Sequence, residues 1–456
     1  MPRLPARILG LAGLAALVAG CAASAQPAYP QQAQMAAPNA RTATLDVALG
    51  QPLVAVGAKT KVYLKVGLTG LAFETAGDRP PVNVAIVLDK SGSMGGQKLY
   101  QAKQAARLAV DRLAPSDIVS VVAYDSTVRV VVPATKAMDK QSIHAGIDRL
   151  SAGGNTALFA GVSKGADELR KFFDRNRVNR VVLLSDGLAN VGPSSASELA
   201  RLGTSLMREG MSVTTLGLGL DYNEDLMAQL ARAADGNHAF IERAADLARF
   251  FELEFGTVMK VAGRDATLTI DCAPGVRPVR LLGRSGDIVG QQVVVRLNQL
   301  YAGEEKFALL EVEVPPGELG GRMPVARVEA TYGNLVTQTT DTLRGAVDIG
   351  FVATAAEADR AHNPAVMVSA IELVANEQNR MALLLNDQGK TREARQVLMG
   401  NAAWLDTNFQ RYKAPSLEKL KRDNNEDASN LDGENYRRQR KKMRKRQIEY
   451  DMQQMY

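Results

Sequence analysis

The chain of 456 residues carries 55 Lys and Arg against 49 Asp and Glu, a net charge of +6 at pH 7. Eight of the basic residues lie between positions 437 and 446, so the rest of the chain is slightly acidic, which excludes a uniformly basic chain of the nucleic-acid-binding kind. The only three histidines, His144, His238 and His362, are far apart in the sequence and have no zinc-binding spacing.

The amino terminus has the pattern of a secretory signal. Two arginines precede an apolar stretch at 8–18 that is too short to span a bilayer, and V-A-G-C follows, ending at Cys21. A cysteine directly after Ala-Gly resembles a bacterial lipobox, which implies cleavage before Cys21 and lipid attachment to its thiol and amine. Ala22 in place of Asp favours, by the same resemblance, the outer membrane, facing the periplasm or the cell surface. The alternative is an ordinary signal peptide cut after an Ala-x-Ala site.

The segment after Cys21 predicts a flexible tether up to residue 41. It is rich in Ala, Gln and Pro and nearly uncharged, so it cannot bury enough surface to offset its ordering entropy. With Cys21 lipidated, Cys272 remains alone and no intramolecular disulfide is expected. No other stretch is apolar and long enough for a membrane-spanning helix, so membrane attachment depends on the amino-terminal lipid.

Two regions alternate polar and apolar residues as half-exposed strands do. The first lies within 42–79, and the second comprises six short runs within 263–346, separated by Gly, Pro and Asn turns. This pattern predicts an antiparallel β-sandwich. We expect both regions to belong to one sandwich, so that the central segment is inserted into it or flanked by it.

The central segment, 80–262, alternates strands with helices. Its aliphatic runs at 84–88, 181–184 and 212–216 are typical of strands buried on both faces, and amphipathic stretches follow them. This alternation predicts an α/β fold with a mostly parallel sheet and helices on both faces.

Oxygen-bearing side chains follow the first of these strands. Asp89, Ser91 and Ser93 are spaced two apart on the loop at the strand's carboxyl end, where their oxygens can turn toward one point. Hard oxygen ligands with little net charge suit Mg²⁺. Ser and Asp also cap helices, and a helical stretch follows, so on this loop alone metal binding and capping both remain open.

Two further segments favour the metal. Thr156 follows Gly153-Gly154-Asn155, and Asp186 ends the second aliphatic strand. Loops at the carboxyl ends of neighbouring parallel strands converge, which predicts that both residues lie beside Asp89. The three loops together resemble the metal-ion-dependent adhesion site of von Willebrand factor type A (VWA) domains. The sequence S-D-G-L-A-N-V-G is most similar to the bacterial branch of VWA domains near the inter-α-trypsin-inhibitor and calcium-activated-channel-like proteins.

The resemblance implies a role for each of the five residues. Ser91 and Ser93 are expected to bind the ion directly, Thr156 to join them when ligand is bound, and Asp89 and Asp186 to act mainly through waters. The open coordination position is expected to take an Asp or Glu carboxylate of a protein partner. Mg²⁺ is the expected ion, with Mn²⁺ and Ca²⁺ as the other candidates.

The last hundred residues predict a helical hairpin and a charged tail. Two helical stretches within 347–413 meet at a Gly-centred turn and resemble a single tetratricopeptide-like unit. The tail is acidic and then basic, and it is interpreted as a solvated, disordered segment or a frayed helix. Behind a signal peptide, the alternative is contact with lipopolysaccharide, anionic lipid or an acidic partner rather than nucleic acid. The residues for such contact are Arg437, Arg438, Arg440, Lys441, Lys442, Arg444, Lys445 and Arg446.

The sequence shows no catalytic machinery, so we expect a binding protein and not an enzyme. Ser91 stands where a phosphotransferase D-x-D motif has its second Asp, and no Ser-x-x-Lys or G-x-S-x-G element places a nucleophile. The leading hypothesis is an extracytoplasmic adhesion protein that captures a partner carboxylate through its metal. The alternatives are an assembly factor acting through its hairpin and basic tail, and third a metal-dependent hydrolase. The predicted division is 1–20 signal peptide, 21–41 tether, 42–79 sandwich strands, 80–262 VWA domain, 263–346 sandwich, 347–413 hairpin and 414–456 tail.

Overall fold

The computed structural model describes residues 41–72, 80–258, 260–433 and 435–453. The predicted signal peptide, Cys21 and nearly all of the predicted tether lie outside these residues. Among the helices that the structure describes, none is both long and apolar enough to cross a membrane.

Three strands precede the central domain. In the third of them, Val62, Leu64 and Val66 are fully buried. The strands are β1 (Ala43–Leu49), β2 (Leu53–Ala55) and β3 (Thr60–Gly70).

The central domain is a six-stranded sheet covered by helices on both faces. Its order is β6-β5-β4-β7-β8-β9, and all neighbours are parallel except β5 and β6. The strands are β4 (Val82–Asp89), β5 (Ile118–Tyr124), β6 (Val128–Lys136), β7 (Val178–Ser185), β8 (Met211–Leu218) and β9 (His238–Ile241). The helices are α1 (Gln97–Arg112), α2 (Lys140–Asp148), α3 (Leu158–Arg170), α4 (Ala196–Arg208), α5 (Glu224–Ala233) and α6 (Leu247–Val258).

Strand β4 lies in the middle of this sheet and is buried along its whole length. Alternate side chains of a strand point to opposite faces. Ile86 and Leu88 accordingly join a core with α1, α2 and α6, whereas Ala85 and Val87 join a second core with α3, α4 and α5. Burial on both faces explains the continuous aliphatic run, and the predicted α/β fold class is confirmed.

Seven strands follow the central domain and complete a β-sandwich. One sheet has the order β1-β3-β14-β11 and the other β12-β13-β10-β15-β16-β2. Only the short β2–β16 pair is parallel among the pairs that the structure describes in these two sheets. The added strands are β10 (Val261–Cys272), β11 (Arg277–Leu282), β12 (Asp287–Val289), β13 (Gln292–Tyr301), β14 (Glu305–Val314), β15 (Arg322–Asn334) and β16 (Thr339–Val352).

The central domain is inserted into this sandwich, because the chain leaves and re-enters the sandwich at one place. The Gly303 N–H donates to the carbonyl oxygen of Gly70, at the end of β3, over 2.7 Å. The adjacent Ala302 N–H donates to the carbonyl oxygen of Lys260, just before β10, over 2.6 Å. The turn between β13 and β14 therefore contacts both crossings.

Five helices follow the sandwich: α7 (Ala355–Arg360), α8 (Pro364–Asp387), α9 (Thr391–Tyr412), α10 (Pro415–Ser429) and α11 (Tyr436–Met452). Helices α8 and α9 form the predicted hairpin. The prediction of a disordered tail is wrong, since α10 and α11 occupy it. These helices bury Leu417, Leu420 and Met443 against the hairpin and the sandwich, and their opposite charges pair with each other, as Arg446 does with Asp427.

Candidate functional site

The predicted metal-binding residues meet at the carboxyl edge of the central sheet. Asp89 is the last residue of β4, and Asp186 directly follows the neighbouring β7. Two backbone hydrogen bonds join the loop after β4 to the loop before α3: the Gly92 N–H donates to Gly154, and the Gly153 N–H donates to Lys90. Thr156, which lies just beyond this second loop, is thereby brought to the same edge.

Three hydroxyl groups surround one small space at this edge. A Cβ atom at Gly187 would lie 3.0 Å from Thr156 Oγ1, 3.4 Å from Ser93 Oγ and 3.8 Å from Ser91 Oγ. Ser91 Oγ is 3.1 Å from Ser93 Oγ, which donates a hydrogen bond to Asp186 Oδ1 over 2.7 Å. Glycine at 187 thus leaves open the point on which the hydroxyls converge.

The Asp89 carboxylate anchors the loop through hydrogen bonds. It is fully buried, and its Oδ1 accepts a hydrogen bond from the Ser91 N–H over 2.8 Å, while its Oδ2 accepts one from Ser185 Oγ over 2.7 Å. Burial raises the pKa of this carboxyl, the hydrogen bonds from Ser91 and Ser185 oppose the rise, and the charge of Asp186 adds to it. A nearby cation would therefore stabilise the ionised form.

Two lysines pair with carboxylates at this edge. Lys98 Nζ lies 2.5 Å from Asp186 Oδ2, and Lys90 pairs with Asp125. The sequence interpretation missed both because it considered only oxygen ligands. Their positions in the sequence could have indicated that they lie near the site. Lys90 lies within the D-x-S-x-S motif, and Lys98 lies in the first turn of the helix that follows it.

The side chains at this edge fit a hard divalent cation. Among the described residues no three His, Cys, Asp or Glu side chains gather to hold a metal. An ion here would depend on hydroxyl oxygens supplemented by two carboxylates, which suits Mg²⁺ and does not suit zinc. Ser91, Ser93 and Thr156 would hold it, with Asp89 and Asp186 behind them, and it would supply positive charge for an anionic ligand.

The basic residues predicted to contact polyanions lie on α11, which packs against α5 and β9 of the central domain. All eight have an acidic partner within the chain, so much of their charge is neutralised internally. The pairs are Arg437–Asp221, Arg438–Glu242, Arg440–Glu224, Lys441–Glu224, Lys442–Glu426, Arg444–Asp225, Lys445–Glu449 and Arg446–Asp427.

Comparison with known families identifies the central domain. The family model of the von Willebrand factor type A domain matches residues 83–252, which span the sheet and all three loops of the site. The chain contains a VWA domain. VWA domains are modules for binding and protein–protein interaction, and they commonly hold a divalent metal at this edge.

Similar proteins occur in bacteria and animals. The VWA protein described here is 30% identical over 275 residues to sll0103 of Synechocystis sp., covering 58% of this chain and 64% of that protein. It is 27% identical over 175 residues to human inter-alpha-trypsin inhibitor heavy chain H2, covering 36% of this chain and 18% of that protein. The chain thus spans less than two thirds of the length of each.

A solved structure shares the fold of both the VWA domain and its surroundings. The von Willebrand factor type A protein from Catenulispora acidiphila superposes with a TM-score of 0.67 at 18% identity, covering 83% of this chain and 89% of that one. At this identity the likeness concerns the fold alone. Its extent shows that a VWA domain together with sandwich and helices is a recurring architecture.

Proposed function

We propose that this chain is an extracytoplasmic binding protein that captures a carboxylate of a partner protein through a divalent ion held by Ser91, Ser93 and Thr156. The observation that carries the proposal is the convergence of the three hydroxyls on the space beside Gly187, next to Asp186.

The ligand chemistry supports an anionic partner. A divalent ion held by neutral hydroxyls keeps most of its charge, because the carboxylates of Asp89 and Asp186 are already engaged by Ser185, Ser93 and Lys98. Ser93 is exposed, so a partner can reach the ion from solvent. An Asp or Glu side chain supplies the hard anionic oxygen that such an ion prefers.

Binding rather than turnover is part of the proposal. The polar contacts described for the five predicted metal-binding residues involve hydroxyls, carboxylates, backbone groups, the Asn190 amide oxygen and the Lys98 ammonium, and they include no histidine. Its hydroxyls donate to one another and to carboxylates, which suits them as ligands.

The location rests on the sequence of the amino terminus. We propose cleavage before Cys21, lipidation of that residue and an outer-membrane anchor. The proposal does not include polyanion contact by the basic helix, since its charges pair within the chain.

Calorimetric titration of Mg²⁺, Mn²⁺ and Ca²⁺ into the full chain tests the metal site. The Ser91→Ala, Ser93→Ala double variant is expected to lose a one-site isotherm that the wild type shows. Ser163→Ala is the matched control, because its hydroxyl donates to the Phe159 carbonyl on α3, outside the site. Equal binding by the wild type and the double variant would contradict the assignment, as would wild-type protein that binds none of the three ions.

A further inference from the structure

Lys98 places a positive charge against a carboxylate that also accepts a hydrogen bond from a predicted metal-binding hydroxyl. Its Nζ lies 2.5 Å from Asp186 Oδ2, while Asp186 Oδ1 accepts the hydrogen bond from Ser93 Oγ over 2.7 Å. The two oxygens of Asp186 thus face different groups, the lysine on one side and the hydroxyl cluster on the other.

Lys98 reaches this position across the ends of two strands. It is the second residue of α1, whose preceding residue Gly96 has φ of +70°, a backbone conformation that favours glycine. A Cβ atom at Gly219, just after β8, would lie 4.0 Å from Lys98 Nζ, so the side chain spans the gap between the loops after β7 and β8. The Lys98 side chain is 32% exposed and that of Asp186 is fully buried. The ammonium therefore approaches the carboxylate from the solvent side.

The other nearby lysine does not pair with Asp186. Lys90 pairs with Asp125. Within the ranges that the structure describes, no cationic side chain other than Lys98 forms an ion pair with Asp186 or Asp89. Of the two buried carboxylates at this edge, Asp186 pairs with the Lys98 ammonium, whereas Asp89 accepts hydrogen bonds from the Ser91 N–H and Ser185 Oγ.

We propose that Lys98 is an internal cation that competes with the divalent ion for Asp186 and thereby sets the metal affinity of the site. This inference rests on the proposed function. An ion beside Ser93 draws on the same Asp186 charge, and it repels an ammonium placed on the other side of that carboxylate. Binding of the ion must weaken the Lys98–Asp186 pair or displace it.

The competition links the ion to the partner. With Lys98 in place, the metal alone is held weakly. A partner carboxylate supplies a negative charge that stabilises both the ion and the displaced Lys98 ammonium. The lysine thus favours joint binding of metal and partner over binding of metal alone.

Calorimetric titration of Mg²⁺ alone into the full chain tests the inference with Lys98→Met, which keeps the length of the side chain and removes its charge. The expected result is Mg²⁺ binding about tenfold tighter than in the wild type, as loss of one partly exposed competing charge allows. Lys98→Arg, which keeps the charge, is expected to stay within about twofold of the wild type. The control Lys103→Met removes a lysine of the same helix that donates to the Asp148 carbonyl, and it is expected to leave Mg²⁺ affinity unchanged.

Melting temperature supplies a second readout that a merely structural lysine would not move in this way. Without Mg²⁺, Lys98→Met is expected to melt below the wild type, because Asp186 then lacks its counter-charge. Saturating Mg²⁺ is expected to raise its melting temperature more than that of the wild type. Lys98→Gln repeats both measurements if the methionine variant does not fold.

The outcomes separate this inference from the proposed function. Equal or weaker Mg²⁺ binding by the uncharged variants, with a wild-type protein that binds, overturns the competition and leaves the metal site standing. Absence of Mg²⁺ binding in every variant overturns both.

Discussion

Lys441 joins α11 to the VWA domain through a buried ion pair, and its removal is expected to release that helix. Its Nζ lies 2.5 Å from Glu224 Oε2, donates to the Tyr222 carbonyl over 2.7 Å, and stands 4.0 Å from the centre of the Tyr222 ring. The side chains of Lys441 and Glu224 are 3% and 9% exposed. Burial lowers the pKa of the Lys441 ammonium, and Glu224 opposes that shift.

Lys441→Met keeps most of the apolar stem and removes the charge. Loss of one partner from a buried ion pair costs about 3–5 kcal/mol. Arg440 still pairs with Glu224 in the variant, so the lower figure of about 3 kcal/mol applies. A change of that size corresponds to a fall of about two orders of magnitude in the hydrogen-exchange protection of α11.

Hydrogen exchange resolved to the peptides of α11 measures the effect. Lys442→Met is a matched control on the adjacent residue, because Lys442 is 44% exposed and lies 3.5 Å from Glu426, which is 52% exposed. That pair is worth at most about 1 kcal/mol. Adding Glu224→Gln to Lys441→Met is expected to restore part of the protection, because the buried carboxylate that has lost one of its two cations is then neutral, while Arg440 keeps Asp225 and Asp387 as partners. Equal loss of protection in the two lysine variants would refute the reasoning.

Two further changes test the metal site and the buried histidine. Gly187→Ala places a methyl group 3.0 Å from Thr156 Oγ1 and is expected to weaken Mg²⁺ binding at least about tenfold in calorimetry. Gly153→Ala is the control, because its methyl group meets nothing within 4 Å. Equal Mg²⁺ affinities of the two variants would show that the hydroxyls do not form the site. Burial lowers the pKa of His238 to about 3, so the unfolded chain alone takes up this proton as the pH falls from about 6.5 toward 3, and stability is lost over that range by up to about 1.4 kcal/mol per pH unit. His238→Gln is expected to reduce this loss of stability at acid pH. Urea unfolding of both proteins between roughly pH 7 and pH 4, a range that includes the ordinary pKa of histidine, measures the effect. An equal pH dependence of the free energy of unfolding in the two proteins would contradict the low pKa of His238.

The VWA sheet and the convergence of its loops at one edge could be predicted because their signals are local. Strand β4 is buried on both faces, and that burial requires the uninterrupted aliphatic run that the sequence shows. The parallel order then dictates that the residues after β4 and β7 meet, whatever the details of the loops. The convergence of Asp89, Ser91, Ser93, Thr156 and Asp186 at one edge of the sheet was therefore predictable without a structure.

Helices α10 and α11 could not be predicted in the same way, because the residues that order them are distant in sequence. The basic run of α11 has little apolar content, and within the run itself the only electrostatic interaction to be expected is repulsion between like charges. Its partners Glu224 and Asp225 precede it by more than 200 residues. The pairing is a tertiary effect that no periodicity encodes. The position of Lys98 against Asp186 escaped prediction for a similar reason, since it depends on the direction in which α1 leaves its loop.

The insertion of the VWA domain into the sandwich has a consequence for the order of folding. Strand β3 pairs with β14, so that Leu64 faces Leu310 across almost 250 residues of intervening chain. Closing so long a loop carries an entropic cost that slows strand pairing. Once the VWA domain has folded, Gly70 and Lys260 are held close enough to bond to adjacent residues of one turn, and the loop to be closed is effectively only that between β10 and β14. Prior folding of the VWA domain would thus shorten the loop that the pairing of β3 with β14 has to close.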